Sequence, residues 1–453
     1  MSPEGQGLAA PSTSRRASRV RQRLTPRGEV WRTPDFVRLW AGQSISQTGS
    51  QVTAVALPLI AVDKLHANAQ EMGVLFAVGR LPFVLYLIAG ASVDRGRRRR
   101  LLLGTDLARG ALLLTIPLSA AAHLLSLWVL GAILAGAMAL SVWFDSAYMS
   151  YLPLLIGKPL LLQGNTIMES SNSMAQTVGP SIGGFLVQVL SAPVAVIADA
   201  LSFFVSAFWL GRIRQREPEP EPSARPALRE IIAGIGPGLR FVAGNRILRP
   251  LALAIGLSNA AWAAELALYI LYLSRDLGLG ASLIGLTLAA AGPGALAGSA
   301  LAGRIQRRFG VGGAIIGGLT AFSLAALLIP LAPRHDVGAA VPLLMLASFA
   351  MPAGGQVCAV NVLTTRQLIA PEHLLGRVNA SFRFVGLGAS PLGALLAGAL
   401  GSAAGLRVAL FAAVAGMLLA PGIVAASPVR RLRDLPASTS PARPAGATMP
   451  RLE

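Results

Sequence analysis

The chain has 453 residues, of which 54% are apolar and only 13% charged, with a mean hydropathy of +0.61. Soluble domains carry about a quarter charged residues, so this composition excludes an ordinary soluble protein and describes one built for lipid. The formal net charge of +19 resides largely in arginines placed between apolar runs, not on a soluble face, which argues against a nucleic-acid partner.

Residues 1–35 are polar and rich in Ser, Arg and Pro, with no apolar core of the kind a signal peptide needs. They are expected to form a disordered cytoplasmic tail. Crossing a hydrocarbon layer about 30 Å thick takes roughly 20 apolar residues as helix, and twelve such segments follow. The first six cover 37–62, 70–93, 101–121, 125–152, 163–190 and 193–212. The second six cover 249–274, 281–303, 311–332, 338–362, 376–401 and 405–426. The expected organisation is therefore an N-terminal bundle (36–212), a central cytoplasmic loop (213–248), a C-terminal bundle (249–426) and a disordered cytoplasmic tail (427–453).

The basic residues orient these spans. With the N-terminus in the cytoplasm, 31 of the 39 Lys and Arg fall on the cytoplasmic side, while the outer loops hold only Lys64, Arg275, Arg334 and Arg407. By the positive-inside rule both termini are expected in the cytoplasm. Thirty-seven of the 39 are arginines, in a chain rich in Ala, Gly and Leu, a composition that hints at a GC-rich bacterial genome. The lone cysteine, Cys358, lies in an apolar segment and is expected to be a packing residue.

The second span closes on "GASVDRGRRRR", residues 90–100, and the eighth on "GSALAGR" from Gly298, 208 positions after Gly90. Pro180 and Pro391 are 211 apart, and the first and seventh spans begin 212 apart. Three landmarks with nearly one offset indicate an internal repeat of the kind found in secondary transporters, whose site lies between the halves near the bilayer midplane.

Polar groups inside the spans mark candidates for that site, because a charge at a helix centre costs about 2.5–3.5 kcal/mol on insertion scales. Gln43, Gln47 and Ser50 share a stripe in the first span. Glu169, Asn172, Gln176 and Pro180 line one face of the fifth, and Glu265 shares the seventh with Asn259, Trp262, Tyr269 and Tyr272. Each acid could couple protons to transport or could instead pair with an intramembrane arginine such as Arg383. Asp106 and Arg109, three apart, read as a local ion pair, and Asp199 as structural. There is no phosphate-binding G-x-x-x-x-G-K-[ST] loop, so no nucleotide is expected. His66, His123, His335 and His373 show no metal spacing. No catalytic constellation is visible, and no cofactor or metal is implied.

The pattern between the second and third spans resembles the G-x-L-a-D-R-x-G-R-[KR] motif of the major facilitator superfamily, met by Gly90, Asp94, Arg95, Arg98 and Arg99, with Ser92 in place of the leucine and Arg97 in place of the second glycine. "VGPSIGG" at 178–184 resembles the fifth-helix motif of exporters in that superfamily, carried by Gly179, Pro180, Gly183 and Gly184. Within it the chain is similar to the drug:proton antiporter branch, which includes macrolide-type and siderophore exporters. The resemblance covers about residues 36–426 and implies an all-α membrane protein of two pseudo-symmetric six-helix bundles. It implies a monomeric, proton-coupled exporter of amphipathic small molecules in a bacterial cell membrane, with Glu169 and Glu265 as coupling candidates. It also implies that Asp94 and the arginines latch the halves together on the cytoplasmic side with Asp145 as partner. Ala302 stands where the second half would repeat the acid, so the latch is one-sided. A dedicated exporter of one metabolite, such as a siderophore or a self-made antibiotic, stays open as an alternative; a membrane-embedded enzyme or non-transporting sensor is a remote one.

The latch reading has a direct test. Asp94→Asn should strongly reduce dye export while insertion and topology stay normal, and full export by this variant would refute the latch.

Overall fold

A computed structural model describes residues 29–86, 97–215, 217, 228–371 and 374–433. The chain is helical throughout these residues, as it must be where no water is present to satisfy the backbone. In chain order the helices are α1 (Pro34–Leu59), α2 (Ala69–Arg80), α3 (Arg98–Ala121), α4 (Leu127–Leu190), α5 (Ala192–Gly211), α6 (Leu228–Gly244), α7 (Leu248–Leu271), α8 (Ala281–Ala289), α9 (Ala291–Leu331), α10 (Val337–Ile369), α11 (Leu375–Gly388), α12 (Ser390–Ala404) and α13 (Leu406–Ala425).

Among the described residues, nine stretches are long and apolar enough to cross a membrane by themselves. One of them, Ala281–Leu331, folds two passes together at Gly310, whose φ of 74° only glycine adopts freely. The fourth and fifth spans are likewise joined through one residue, Gly157, at φ 72°, where the sequence suggested a ten-residue connection. The fifth span carries the polar run around Glu169 and so lacks a clean apolar window, and the second passes beyond the described residues after Tyr86. With these two, the passes number twelve, in the two-bundle arrangement expected.

The repeat is visible in local geometry. The first and seventh spans both end in a five-residue π turn, Ile60–Lys64 and Tyr272–Asp276. The turns that open the sixth and twelfth spans share one unusual backbone conformation, Ser191 at φ 97°, ψ 153° and Gly405 at φ 93°, ψ 156°. The fourth and tenth spans are both capped by a side-chain oxygen, from Ser126 and Asp336. These pairs stand 212, 214 and 210 positions apart, close to the offsets read from the sequence.

The folded part reaches past both expected tail boundaries. Glu29–Arg32 is a 3-10 turn whose Val30 is fully buried, and Pro428–Arg431 is another that buries Val429. The second returns Leu432 and Arg433 to the eighth-to-ninth turn, where their carbonyls accept from the Gly312 and Val311 amides. The central connection contains α6, which meets α11: a Cβ on Gly238 would lie 2.5 Å from the Arg377 carbonyl oxygen.

Inside the N-terminal half, Asp106 and Arg109 form the expected ion pair, the aspartate fully buried. The guanidinium lies between the Phe144 and Phe203 rings, 4.4 and 4.3 Å from their centroids, and reaches Ser141 at 3.3 Å. Cations sandwiched between aromatic faces in a desolvated site are held strongly. Asp199 is also structural: it is buried and accepts from Ser202 (3.2 Å) and Ser50 (3.4 Å), with Gly49 packed against it. Arg109→Ala would leave Asp106 buried without its partner and should destabilise the folded protein in detergent by about 3–5 kcal/mol, read as a lower thermal transition. An unchanged transition would show that the pair contributes nothing.

Candidate functional site

The two halves press together on the face away from the arginine-rich connections. On this far face the fifth span meets α8 with almost no side chain between them: a Cβ on Gly184 would lie 2.3 Å from the Ala281 carbonyl oxygen, and one on Gly285 would lie 2.2 Å from that of Pro180. Gly73 of α2 meets α12 in the same way, 2.6 Å from the Ala394 carbonyl oxygen. Small residues permit this approach, and dispersion between backbones is what holds helices together where lipid is as apolar as protein. Polar contacts at the rim complete the closure. Ser274 donates to Asp63 (3.2 Å), the Ser282 amide to Gln188 (3.1 Å) and the Gln70 amide to Ser402 (3.0 Å).

This contact shows what "VGPSIGG" does. Gly179 and Gly183 face α1, where a Cβ would meet Gln51 and the Val52 backbone, while Gly184 and the Pro180 carbonyl face α8. One short stretch therefore packs the fifth span against its own half on one side and against the opposite half on the other.

The polar stripes are dispersed unevenly. Gln43 is buried with its Nε2 unpartnered, and the Gln47 Oε1 is likewise buried without a hydrogen bond, whereas Ser50 turns towards Asp199. Glu169 is exposed, Asn172 and Gln176 are half-buried, and Glu169 lies within electrostatic reach of Tyr148. Glu265 is 4% exposed, and its Oε2 has no hydrogen-bond partner. Neither acid forms an ion pair with any described residue. Tyr269 is buried, its hydroxyl 3.5 Å from Ser348 of α10. Tyr272 is fully buried in the π turn. Asn259 faces Gly386 of α11. Trp262 is 38% exposed and looks across to the other half, where the Arg80 guanidinium lies 6.0 Å from its ring centroid.

Of the motif after the second span, Gly90, Asp94 and Arg95 lie outside the described residues. Arg99 is engaged within its own half: its guanidinium donates to the carbonyls of Leu210 (3.0 Å) and Gly211 at the end of α5, as suits a cation at a helix C-terminus. Glu217 accepts from the Arg98 and Arg99 amides, each at 2.6 Å, and so caps α3. Asp145 accepts from the Tyr86 hydroxyl at 2.6 Å. The Tyr86 ring in turn faces Arg383 of α11, 5.7 Å from the centroid, which links the fourth and second spans to the opposite half.

Arg80, Tyr86, Arg366 and Arg383 meet in a place the polar stripes did not indicate. A cavity of about 500 Å³ lies between the second and eleventh spans, lined by these four together with Asn379 and Phe384. The signal was present in the sequence, since Arg80 and Arg383 both fall within apolar runs, but the partner of each comes from a segment some 300 residues away.

Two helical bundles closed over one face, with polar groups and a cavity between them, have the architecture of a membrane transporter. The chain matches the family model for transmembrane secretion effectors over residues 30–447. It is 30% identical to the multidrug efflux pump Tap of Mycolicibacterium fortuitum over 90% of this chain and 97% of that one. It is 26% identical to the enterobactin exporter EntS of Escherichia coli O1:K1 / APEC, over 82% and 86% of the two chains. Among solved structures, a bacterial homologue of the iron transporter ferroportin in its inward-facing state superposes with a TM-score of 0.70 at 17% identity, covering 86% of this chain and 97% of that one. The nucleoside transporter NupG superposes with a TM-score of 0.69 at 10% identity, covering 86% and 98%. The protein belongs to the transmembrane secretion effector family, within the major facilitator superfamily.

The glycine closure is testable. Gly184→Val and Gly285→Val should each wedge the far face apart, so that a cysteine introduced by Gln188→Cys reacts several-fold faster with maleimide in detergent. Unchanged labelling would mean that these glycines do not hold the halves together.

Proposed function

We propose that the protein exports amphipathic small molecules from the cytoplasm of a bacterial cell, in exchange for protons, by alternating access. The observation that carries this reading is the closure through Gly184 and Gly285, with the inter-half cavity on the basic side of it. The arginine-rich connections support a cytoplasmic position for that side and for both termini, and on this reading the state is the one that loads substrate. The likeness to a multidrug efflux pump and a siderophore exporter supports the outward direction.

In this proposal residues 36–212 and 249–426 move as two bodies in a single subunit, joined by 213–248; in the outward-facing state Asp94 and the arginines Arg95, Arg98 and Arg99, with Asp145 as partner, latch the cytoplasmic side. Gln43, Gln47, Asn172, Gln176 and Trp262 offer amide and aromatic contacts to substrate. Glu265 is the better proton carrier of the two acids. It is buried with an oxygen unpartnered and no ion pair to a described residue, so its solvation must change when the halves rock, which is what alternate protonation requires. Glu169 takes the exposed position on the facing bundle.

A second reading, export of a single metabolite such as a siderophore, draws on the similarity to the enterobactin exporter. It requires that one compound be transported and a panel of unrelated dyes be ignored. For the main reading, an acidic interior should drive accumulation of a labelled dye in inverted vesicles, and the double variant Glu169→Gln, Glu265→Gln should abolish that dependence on the pH gradient. Wild-type coupling in the double variant would sink the assignment.

A further inference from the structure

We propose that the cavity between the second and eleventh spans is an anion subsite, in which Arg80, Arg366 and Arg383 receive the acidic group of an amphipathic aromatic molecule. This deepens the export reading and rests on it for the claim that the molecule is transported.

Three cations line one space and none is neutralised by an ion pair with a described residue. Arg109, elsewhere in the membrane, differs from them in its buried aspartate: Arg80, Arg366 and Arg383 have rings beside them, as Arg109 does, but no carboxylate in an ion pair among the described residues. The Asp145 carboxylate acts on Arg383 while accepting from the Tyr86 hydroxyl, and one carboxylate still leaves two of the three guanidiniums in excess. The Arg366 and Arg383 charges act on each other, and like charges brought together in a membrane are unfavourable unless something anionic sits between them. One donor of the cavity wall, Arg366 Nε, is buried without a hydrogen-bond partner. A buried donor left open is costly and marks a place where an acceptor from a ligand completes the bonding.

Anchoring at the lipid headgroups does not account for all three. Arg80 stands eleven positions beyond the start of α2, about 16 Å along the helix axis, well into the apolar layer. The remaining wall is largely apolar and includes three rings, Phe83, Tyr86 and Phe384, with Arg80 5.6 Å from the Phe83 centroid. Guanidinium groups bind carboxylate, sulfonate or phosphate oxygens in pairs, and about 500 Å³ holds one aromatic body of drug size. An acidic lipid headgroup shares this chemistry, so the test must separate the two.

The probes are anilinonaphthalene sulfonate and phenylnaphthylamine, which differ by the sulfonate alone. Binding of each to the full chain in phosphatidylcholine nanodiscs is measured by equilibrium dialysis against empty discs. The wild type should prefer the sulfonate by about tenfold or more, as charge-assisted hydrogen bonds allow. Arg366→Gln and Arg383→Gln should each erode that preference, and Arg383→Lys should retain part of it. Equal binding of the two dyes by the wild type, or variants that weaken both alike, would overturn the subsite. Loss of the preference when phosphatidylglycerol replaces phosphatidylcholine would overturn it as well, by assigning the cavity to a lipid headgroup. Counterflow of phenylnaphthylamine in proteoliposomes tests export separately: no counterflow with an intact sulfonate preference would remove the export reading and leave the anion subsite supported.

Discussion

The structure depends on backbone-to-backbone contact between the fifth span and α8. Lipid supplies no hydrophobic drive for helices to associate, so close packing of small residues has to do so. At Pro180, Gly184, Ala281 and Gly285 the two helices approach so nearly that no Cβ fits between them. That contact decides which face of the bundle is shut. It thereby decides on which side the cavity lies and from which side a substrate can enter.

The charged groups follow a division of labour set by solvation. Arg109 has an aspartate and two rings, so its charge is compensated within one half and adds rigidity there. Arg99 is satisfied by helix-end carbonyls, again within one half. Arg80, Arg366 and Arg383 line the space between the halves with rings beside them but with no ion pair to a described carboxylate. A charge that is satisfied inside a bundle can be carried through a conformational cycle unchanged. One that faces the interface feels every change in the distance between bundles, and this is where a transported ligand can bias the equilibrium.

The same logic explains why the polar stripes were an incomplete guide to the site. A helical stripe identifies side chains on one face but not what that face meets. Ser50, Tyr269 and Tyr272 share faces with cavity candidates, yet Ser50 bonds Asp199, Tyr269 reaches Ser348 and Tyr272 is buried in a π turn. Trp262 does reach across to the other half. Arg80 and Arg383 carried no stripe at all, and their importance comes from being brought together.

The sequence by itself determined the membrane class, the twelve passes, the repeat near 210 residues and the Asp106–Arg109 pair. These rest on composition, apolar run length and short-range spacing, all of which are local properties of the chain. It also singled out "VGPSIGG", though not its two-sided packing. Only the tertiary structure decided which face is closed, which polar groups meet across the halves and that three arginines share one cavity. Those facts depend on contacts between segments hundreds of residues apart, where helix rotation and depth, set by packing against neighbours, choose the partner.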